Sequence, residues 1–484
     1  MIHRVALVLA AALVMVMAVS GGCRSSSGVP GAAAPVFLDS LSSQSATFLP
    51  TGTEPRAAVG PDGRRWVITN NAAGAPEIFG SVDGSAWSRA GAFPQPASPS
   101  PDVDLVVTRT GRLVAVELDG AGFSAAVSYS DDGGATWQNS PGPALIDQDR
   151  PWLAVGPDDP GTGEPLVYLL YHNVVAGAAI MNVFVSTSTD GGASFGAPVP
   201  VTLPGSQAFA DLQCGDSSGP SGIAVNRASG RIYVAWGTRT SALGGCGASI
   251  PPGVYQVSIE SPTRVWVATS ADGSPGSWTT SLAVDESSSG KIVGVLWSPI
   301  ALDSAGNIYV AYPETPNPYP DYRGAAVRYR WAPADLARWS APVTVAPADA
   351  AGHFSVHVVA GAPGKLDFAY FSGRERQGAS PAWFVTVAQT LDGLSDSPHF
   401  TEIAVANFPS YTGTLTELAG ACGSGPTAGI EQGTLCPRAA DNFGLALDRA
   451  CRYIVTWPVI ENDADRSHAG TWVATQNGGP IICD

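Results

Sequence analysis

The chain has 484 residues, of which 45% are hydrophobic and only 14% are charged, and it contains 56 glycines and 40 prolines. This composition indicates many short, buried strands joined by turns, and it excludes a disordered chain or one built on long helices. The formal net charge of −16 disfavours nucleic acid and anionic lipid surfaces as partners; the alternative is that the negative charge only keeps the protein soluble.

The N-terminal segment, residues 1–22, has the pattern of a secretory signal. His3 and Arg4 precede an apolar run over residues 5–19, which is too short and wrongly flanked for a lasting membrane span. Small residues lead to Cys23, as in a bacterial lipobox, although Ser20 stands where an aliphatic residue is usual. We expect a lipid anchor on Cys23, with a cleaved signal as the alternative. Residues 23–35 would be a flexible tether, so the protein would be exported and membrane-anchored.

The rest of the chain, residues 36–484, repeats one unit: an apolar segment, a turn and a second apolar segment. The seven pairs of segments are 57–59 and 66–68, 105–107 and 113–116, 153–155 and 167–170, 223–225 and 232–236, 300–302 and 308–312, 356–360 and 366–371, and 445–447 and 453–457. With about four strands per unit, this pattern predicts an all-β propeller of seven four-stranded blades. Six blades are the alternative, because residues 401–440 are irregular. Residues 36–38 are a candidate strand for closing the ring.

A turn motif, Ser130 to Trp137 (SDDGGATW), follows one of the apolar strands. The Asp132 carboxylate can fold back onto the amides of its own turn, and Gly134 can adopt the positive φ that tight turns need. The hydroxyls of Ser130 and Thr136 can bond across the turn, and Trp137 begins the return strand. The motif therefore predicts a hairpin connection.

This motif recurs along the chain. The residues that define its copies are Ser81, Asp83 and Trp87; Ser130, Asp132, Gly134, Thr136 and Trp137; Ser188, Asp190, Gly192 and Phe195; and Ser270, Asp272 and Trp278, with a degenerate copy at 390–393. The pattern resembles the Asp box, or bacterial neuraminidase repeat, of sialidase-like β-propellers. The resemblance implies a propeller fold and a structural role for these turns, on the rim away from the active site.

Polar residues stand at both places that would form the mouth of a propeller, before first strands and after second strands. Those before first strands are Glu54, Arg56, Asp102, Asp104, Asp149, Arg150, Asp216, His353, His357, Asp441 and Asn442. Those after second strands are Asn70, Asn71, Asp119, His172, Asn173, Arg239, Glu314 and Arg374. They predict a polar mouth that can hold a sugar or a peptide, although loops are polar in most proteins.

The resemblance to sialidases implies particular catalytic residues. Those enzymes hold a substrate carboxylate with three arginines and use a Tyr–Glu pair with an Asp acid/base. Their Arg-Ile-Pro motif is absent here. The candidates by position are Arg56, Arg150 and Arg374 for the carboxylate, Asp102 or Asp104 for the acid, and Glu314 with Tyr312, Tyr319 or Tyr322 for the nucleophilic pair. Alternatively, Asp149 and Arg150 form an ion pair that braces neighbouring blades.

Three further features of the sequence bear on its chemistry. Six cysteines besides Cys23 favour disulfides, with sequence neighbours as the natural pairing: 214–246, 422–436 and 451–483. Residues 215–220 resemble the nucleophile segment of trypsin-like proteases, but no matching histidine context exists, so we expect an ordinary loop. His353 and His357 would share one face of a strand; without a third ligand nearby, we expect no metal there.

These observations lead to two functional hypotheses. The first is an exported, lipid-anchored, sialidase-like propeller that binds glycans or glycoproteins and is a candidate for hydrolysing terminal sialic-acid-type sugars. The second is a non-catalytic propeller used for adhesion or as an assembly scaffold. Either would act as a monomer, without a cofactor, a metal or nucleic acid.

Overall fold

The structure, a computed structural model, describes residues 36–38, 49–50, 54–71, 75–94, 99–119, 124–142, 148–173, 182–213, 219–238, 262–294, 298–317, 321, 323–413, 444–459 and 470–483. The predicted signal, Cys23 and the whole of the predicted tether lie outside these ranges. No helix within them is both long enough and apolar enough to cross a membrane.

The described strands form seven antiparallel sheets. Two strands, β1 (Val36–Leu38) and β2 (Leu49–Pro50), come before the first blade. Blades 1 and 2 consist of β3 (Arg56–Val59), β4 (Arg65–Asn70), β5 (Pro76–Ser81) and β6 (Ser88–Arg89), then β7 (Pro99–Val107), β8 (Leu113–Asp119), β9 (Ser124–Ser130) and β10 (Gln138–Asn139). Blade 3 consists of β11 (Gln148–Asp158), β12 (Pro165–Asn173), β13 (Val183–Ser188) and β14 (Val199–Pro200), followed by the helix α1 (Gln207–Leu212).

The remaining blades follow the same order, with extra short strands in blades 5 and 6. Blade 4 has β15 (Pro220–Val225), β16 (Ile232–Thr238), β17 (Arg264–Ser270) and β18 (Thr279–Asp285). Blade 5 has β19 (Ile292–Val293), β20 (Ile300–Leu302), β21 (Ile308–Thr315), β22 (Ala326–Ala332) and β23 (Val343–Ala346). Blade 6 has β24 (His353–Ala360), β25 (Leu366–Arg376), β26 (Ala379–Thr390), β27 (Thr401–Ala404) and β28 (Tyr411–Thr412), and blade 7 has β29 (Gly444–Leu447), β30 (Tyr453–Val459) and β31 (Gly470–Gly478).

The seven sheets close into a ring, which confirms the predicted seven blades over the six-bladed alternative. The first strands β3, β7, β11, β15, β20, β24 and β29 each contact the next around the axis, and β29 returns to β3. Blade 7 receives its outer strand from the start of the chain, because β1 pairs antiparallel with β31. This pairing confirms the expectation for residues 36–38.

Each blade buries both of its faces against its neighbours, which explains why the strands are apolar without alternation. In β8, Leu113 and Ala115 pack into the core between blades 1 and 2, whereas Val114 and Val116 pack into the core between blades 2 and 3. All four side chains are fully buried. Since an isolated blade would expose one of these faces, the blades are stable only as a ring.

The recurring turns join third and fourth strands. Asp132 accepts hydrogen bonds from the Thr136 amide at 2.8 Å and the Thr136 hydroxyl at 2.6 Å, and these bonds lower the pKa of the Asp132 carboxyl to about 2. The Ser130 hydroxyl accepts from the Gly134 amide at 2.9 Å. In the next copy Gly192 has a φ of +89° and lies so close to Val114 of the preceding blade that a Cβ would sit 2.6 Å from it. These turns therefore also pack blade against blade.

A buried ion pair joins the first and last blades. Arg65 of β4 lies 3.0 Å from the Asp448 carboxylate, which follows β29, and both side chains are less than 10% exposed. Arg65 also donates to the Asp83 carbonyl of its own turn motif. Asp448 is bound in addition by Arg452 at 3.0 Å. This cluster ties the two ends of the propeller together.

We predict that Arg65→Met destabilises the protein by about 2–4 kcal/mol, because it leaves a buried carboxylate with half of its cationic partners. Denaturant unfolding measures the change. The control is Arg89→Met, whose guanidinium pairs with Glu77 but is 63% exposed, and we expect less than about 0.5 kcal/mol there. Equal losses in the two variants would contradict this account of ring closure.

The C-terminal tail crosses from blade 7 to blade 6. A disulfide joins Cys451 to Cys483, as predicted, and Ala362 of blade 6 donates to the Ile482 carbonyl at 2.6 Å. The other four predicted disulfide cysteines lie outside the described residues. Beside the tail, Asp367 is fully buried and accepts a 2.8 Å bond from Gln389, which also donates to Pro480. Burial raises the pKa of Asp367 to about 7.

We predict that Asp367→Asn stabilises the protein at pH 7.5 by about 2–4 kcal/mol. A carboxyl with a raised pKa binds its proton more tightly in the folded state. The wild type therefore loses stability as pH rises from about 4 to 7, and the variant lacks this loss. Chemical denaturation across this range measures the difference, with the exposed Asp396→Asn as the control. Parallel pH profiles for wild type and Asp367→Asn would contradict the prediction.

Candidate functional site

The first strands of all seven blades enclose a cavity on the propeller axis, with a volume of about 360 Å³. We call it the axial cavity, and we call the end of the propeller where first strands begin the mouth. One lining residue from each blade, in order, is Arg56, Asp104, Trp152, Ser221, Ile300, His357 and Leu445. Of the predicted catalytic residues, Arg56 and Asp104 line this cavity.

Arg56 is held in place by two neighbouring blades. Its Nε lies 3.2 Å from the Asp104 carboxylate, and its guanidinium lies 4.4 Å over the centre of the Trp152 ring. Asp104 is itself fixed, because it accepts hydrogen bonds from the amides of Leu105 at 2.9 Å and Leu153 at 2.8 Å. The carboxylate and the aromatic face thus set the orientation of a cation in the cavity wall.

A second ion-paired group lies at the mouth of the same three blades. Arg150 of blade 3 lies 2.5 Å from the Asp102 carboxylate of blade 2 and 3.4 Å from the Glu54 carboxylate before blade 1. Arg150 therefore joins blade 3 to blade 2 and to the segment before blade 1 through Asp102 and Glu54, and these partners differ from Asp149, the partner predicted from the sequence. We call Glu54, Asp102 and Arg150, with Arg56, Asp104 and Trp152, the mouth cluster.

Two members of the mouth cluster have left-handed backbone. Glu54 has a φ of +51° and Arg150 has a φ of +54°. Such a conformation costs a non-glycine residue about 1–2 kcal/mol and persists only where surrounding contacts enforce it. Arg150 lies within a β-bulge, since the register of β11 shifts between Asp149 and Trp152. Bulges of this kind redirect side chains, here toward the shared mouth.

Asp149 is fixed beneath the mouth cluster. Its carboxylate accepts a 2.8 Å bond from the Arg150 amide and lies 3.6 Å from Nε2 of His172. Burial acts to raise the pKa of Asp149, but the attraction of His172 and the charge of Arg150 outweigh it, so the pKa is lowered. Asp149 therefore stays ionised and helps to hold the bulge.

The remaining predicted catalytic residues are not brought to the axial cavity. Tyr312 is fully buried in the core between blades 4 and 5, where burial raises its pKa. Glu314 pairs with Lys291 at 2.8 Å and Arg328 at 3.0 Å. Arg374 is exposed on blade 6 and stacks over Phe384. The structure thus brings Arg56 and Arg150 to one end of the same three blades, whereas Arg374, Tyr312 and Glu314 do not line the axial cavity.

Several of the predicted site residues are not among the residues that the structure describes. Tyr319, Tyr322, Asp216, Arg239, Asp441, Asn442 and most of the protease-like segment lie outside the described residues. Within the described ranges, no group of three or more His, Cys, Asp or Glu side chains could hold a metal ion.

The two histidines of blade 6 do not share one face. Both lie on β24, but the register shifts between Phe354 and His357, and Ser355 has a φ of +51°. His353 packs edge-on against Tyr370, whereas His357 lines the axial cavity. The bulge, which sequence alternation does not show, is the physical reason for the difference.

Sequence reasoning missed Glu117 in β8. This side chain is fully buried, neither of its carboxyl oxygens has a hydrogen-bond partner among the described residues, and burial with the nearby Asp119 raises its pKa to about 9. It pairs across the sheet with Val103, which stands between Asp102 and Asp104. The sequence did carry a sign of this site, because Glu117 is the single acidic residue within the apolar run 113–118.

No known protein family and no curated protein matches the sequence. Solved structures with a similar chain path include an ulvan lyase of polysaccharide lyase family PL25, at 12% identity and a TM-score of 0.49, covering 88% of this chain and 94% of that chain. An α-L-arabinanase from Penicillium chrysogenum is 11% identical, with a TM-score of 0.41 and coverage of 92% and 98%. A mutant NanB sialidase from Streptococcus pneumoniae is 11% identical, with a TM-score of 0.42 and coverage of 91% and 70%. At these values nothing about activity or substrate follows for this chain.

We predict that glycine at position 150 gives a more stable protein than alanine does, which is the reverse of the usual order in a strand. Both Arg150→Gly and Arg150→Ala lose the ion pairs, but only glycine adopts a positive φ without strain. The glycine variant should therefore be the more stable of the two by about 1 kcal/mol. Thermal unfolding compares them. At the exposed strand position Gln138 the order should be the opposite, with alanine more stable than glycine, and the same order at both positions would contradict the assigned strain.

Proposed function

We propose that the chain is a carbohydrate-binding propeller whose ligand docks at the mouth cluster and reaches into the axial cavity. The observation that carries the proposal is the guanidinium of Arg56, oriented by Asp104 and Trp152 in the cavity wall. Pre-oriented charged groups beside an aromatic ring suit sugar hydroxyls, which both donate and accept hydrogen bonds.

The backbone of the mouth supports a binding role. The left-handed conformations of Glu54 and Arg150 oppose folding, yet their side chains pair with each other across blades. Strain of this kind concentrates at ligand clamps and active sites. A site built on first strands is also rigid, because each of these strands contacts two neighbours around the ring.

The geometry favours binding over sialidase-type hydrolysis. Hydrolysis of that type would use three arginines around one carboxylate and a tyrosine nucleophile next to a glutamate. Arg374 is exposed on a different blade, and Tyr312 is buried in an inter-blade core. Exo-sialidase activity is the second candidate function. The observation that favours it is the position of Arg56 beside the carboxylate of Asp104.

The decisive experiment is a binding and turnover screen with the purified full chain. Immobilised oligosaccharides, including α-sialosides, neutral glycans and amino-sugar glycans, would measure binding, and fluorogenic glycosides would measure turnover. We expect the protein to bind at least one glycan saturably and to release no fluorescent leaving group from the α-sialoside. Arg56→Ala should weaken binding at least tenfold, and Arg374→Ala should leave it unchanged.

Each outcome bears on one hypothesis. Turnover of the α-sialoside that is lost in both Arg56→Ala and Arg374→Ala would overturn the binding proposal in favour of the sialidase. Failure to bind any glycan, with an unchanged β-rich circular dichroism spectrum, would overturn a carbohydrate function altogether. It would favour the adhesion or scaffold alternative, in which the partner is a protein.

We further propose that the protein is exported and held at the membrane through lipid on Cys23. The disulfide between Cys451 and Cys483 supports an oxidising compartment. Metabolic labelling with a fatty-acid probe should modify the wild type and not Cys23→Ala. Equal labelling of the two would contradict the anchor.

A further inference from the structure

The end of β31 carries a chemically labile pair of residues. Asn477 is followed directly by Gly478, and this is the single Asn-Gly pair in the chain. Glycine has no Cβ, so its main-chain nitrogen is less hindered than that of any other residue and the backbone around it rotates more freely. Asn477 is also exposed to solvent. Its side-chain amide is therefore open to water and stands next in the chain to an unhindered nitrogen.

Asn477 is the unpaired residue of a β-bulge. On one side of β31, two successive residues of β1 pair with Gly478 and Gln476, so the pairing skips position 477. On the other side, the pairing of β30 with β31 stops before Gln476. The extra residue of a bulge is not held by the hydrogen bonds of the ladder. The backbone at Asn477 is therefore freer to rotate than the paired part of the strand.

The chain is fixed on both sides of this bulge. Gln476 is fully buried, and its side chain donates to the carbonyls of Gly478 at 3.1 Å and Pro480 at 2.7 Å. Farther along, Cys483 is joined to Cys451 by the disulfide. Any change in the length of the main chain at position 477 must therefore be absorbed between these fixed points, where β1 closes the ring.

We propose that Asn477 is a modification site, at which the chain deamidates spontaneously to aspartate and isoaspartate. The main-chain nitrogen of Gly478 loses its proton and attacks Cγ of Asn477, which closes a succinimide ring. The side-chain nitrogen takes up a proton and leaves as ammonia. Water then opens the ring at either of its two carbonyl carbons, and no atom is oxidised or reduced.

The two products differ in their main chain. Aspartate keeps the original backbone and adds one negative charge. Isoaspartate adds the same charge, but its main chain runs through Cβ and Cγ and is one atom longer. Because the bulge lies between fixed points, the longer chain disturbs the pairing of β1 with β31 and the tail that follows. Isoaspartate at position 477 therefore weakens the closure of the ring.

Incubation of the purified full chain in mildly alkaline buffer tests the modification, with peptide mapping by mass spectrometry and labelling by an isoaspartate methyltransferase. The matched control is Asn139, which is exposed like Asn477 but is followed by Ser140 and is paired with Ser128. We expect deamidation at Asn477 to be at least about tenfold faster than at Asn139. Equal rates at the two positions would overturn the proposal.

Gly478→Ala tests the role of the glycine. Gly478 lies in β31 without the positive φ of Gly479, so alanine fits its backbone. The added Cβ should slow deamidation of Asn477 at least about tenfold. An unchanged rate would contradict the proposed attack by the Gly478 nitrogen.

Melting temperatures test the effect on the tail. Incubated wild type that carries isoaspartate should melt at least about 1 °C below the fresh protein. Asn477→Gln would have to close a larger ring, so it should keep its melting temperature during incubation. Fresh Asn477→Asp has the added charge without the longer main chain and should melt like the fresh wild type. Incubated wild type that contains isoaspartate and melts like the fresh protein would overturn the effect on ring closure. Because these experiments use no ligand, their outcome is independent of the proposed function.

Discussion

Every blade of this protein depends on the blades beside it, because its strands are apolar on both faces. The fully buried run in β8 shows this directly, since alternate side chains enter two different inter-blade cores. The ring must therefore close. Closure is secured by backbone pairing of β1 with β31, by the buried Arg65–Asp448 pair, and by the tail that is fixed through the Cys451–Cys483 disulfide.

The same constraint positions the candidate site. A closed ring brings the first strands of seven blades around one axis, so residues far apart in sequence share a cavity. Glu54, Asp102 and Arg150 meet because the first strands of blades 1, 2 and 3 begin side by side. Contacts within the closed ring hold Glu54 and Arg150 in their strained backbone conformations. The side chains of the mouth cluster are therefore oriented before any ligand binds.

Much of the fold was accessible from the sequence, because apolar segments and turn motifs report local backbone geometry. The blade number and the closing strand were predicted in this way, and one disulfide was predicted from cysteines that are neighbours in the sequence. Much of the site was not, because it depends on bulges and on side-chain partners across blades. The register shift in β24 separated His353 from His357, and Arg150 found its partners 48 and 96 residues away, at Asp102 and Glu54.

The central claim is that ligand binds where the first strands of blades 1 to 3 begin. Hydrogen–deuterium exchange of the full chain, with and without a saturating bound glycan, tests it most directly. The account predicts added protection at residues 54–56, 102–104 and 149–153, and at Ser221 on the cavity wall. Protection confined to the turn motifs on the opposite rim, or to the outer strands, would contradict it.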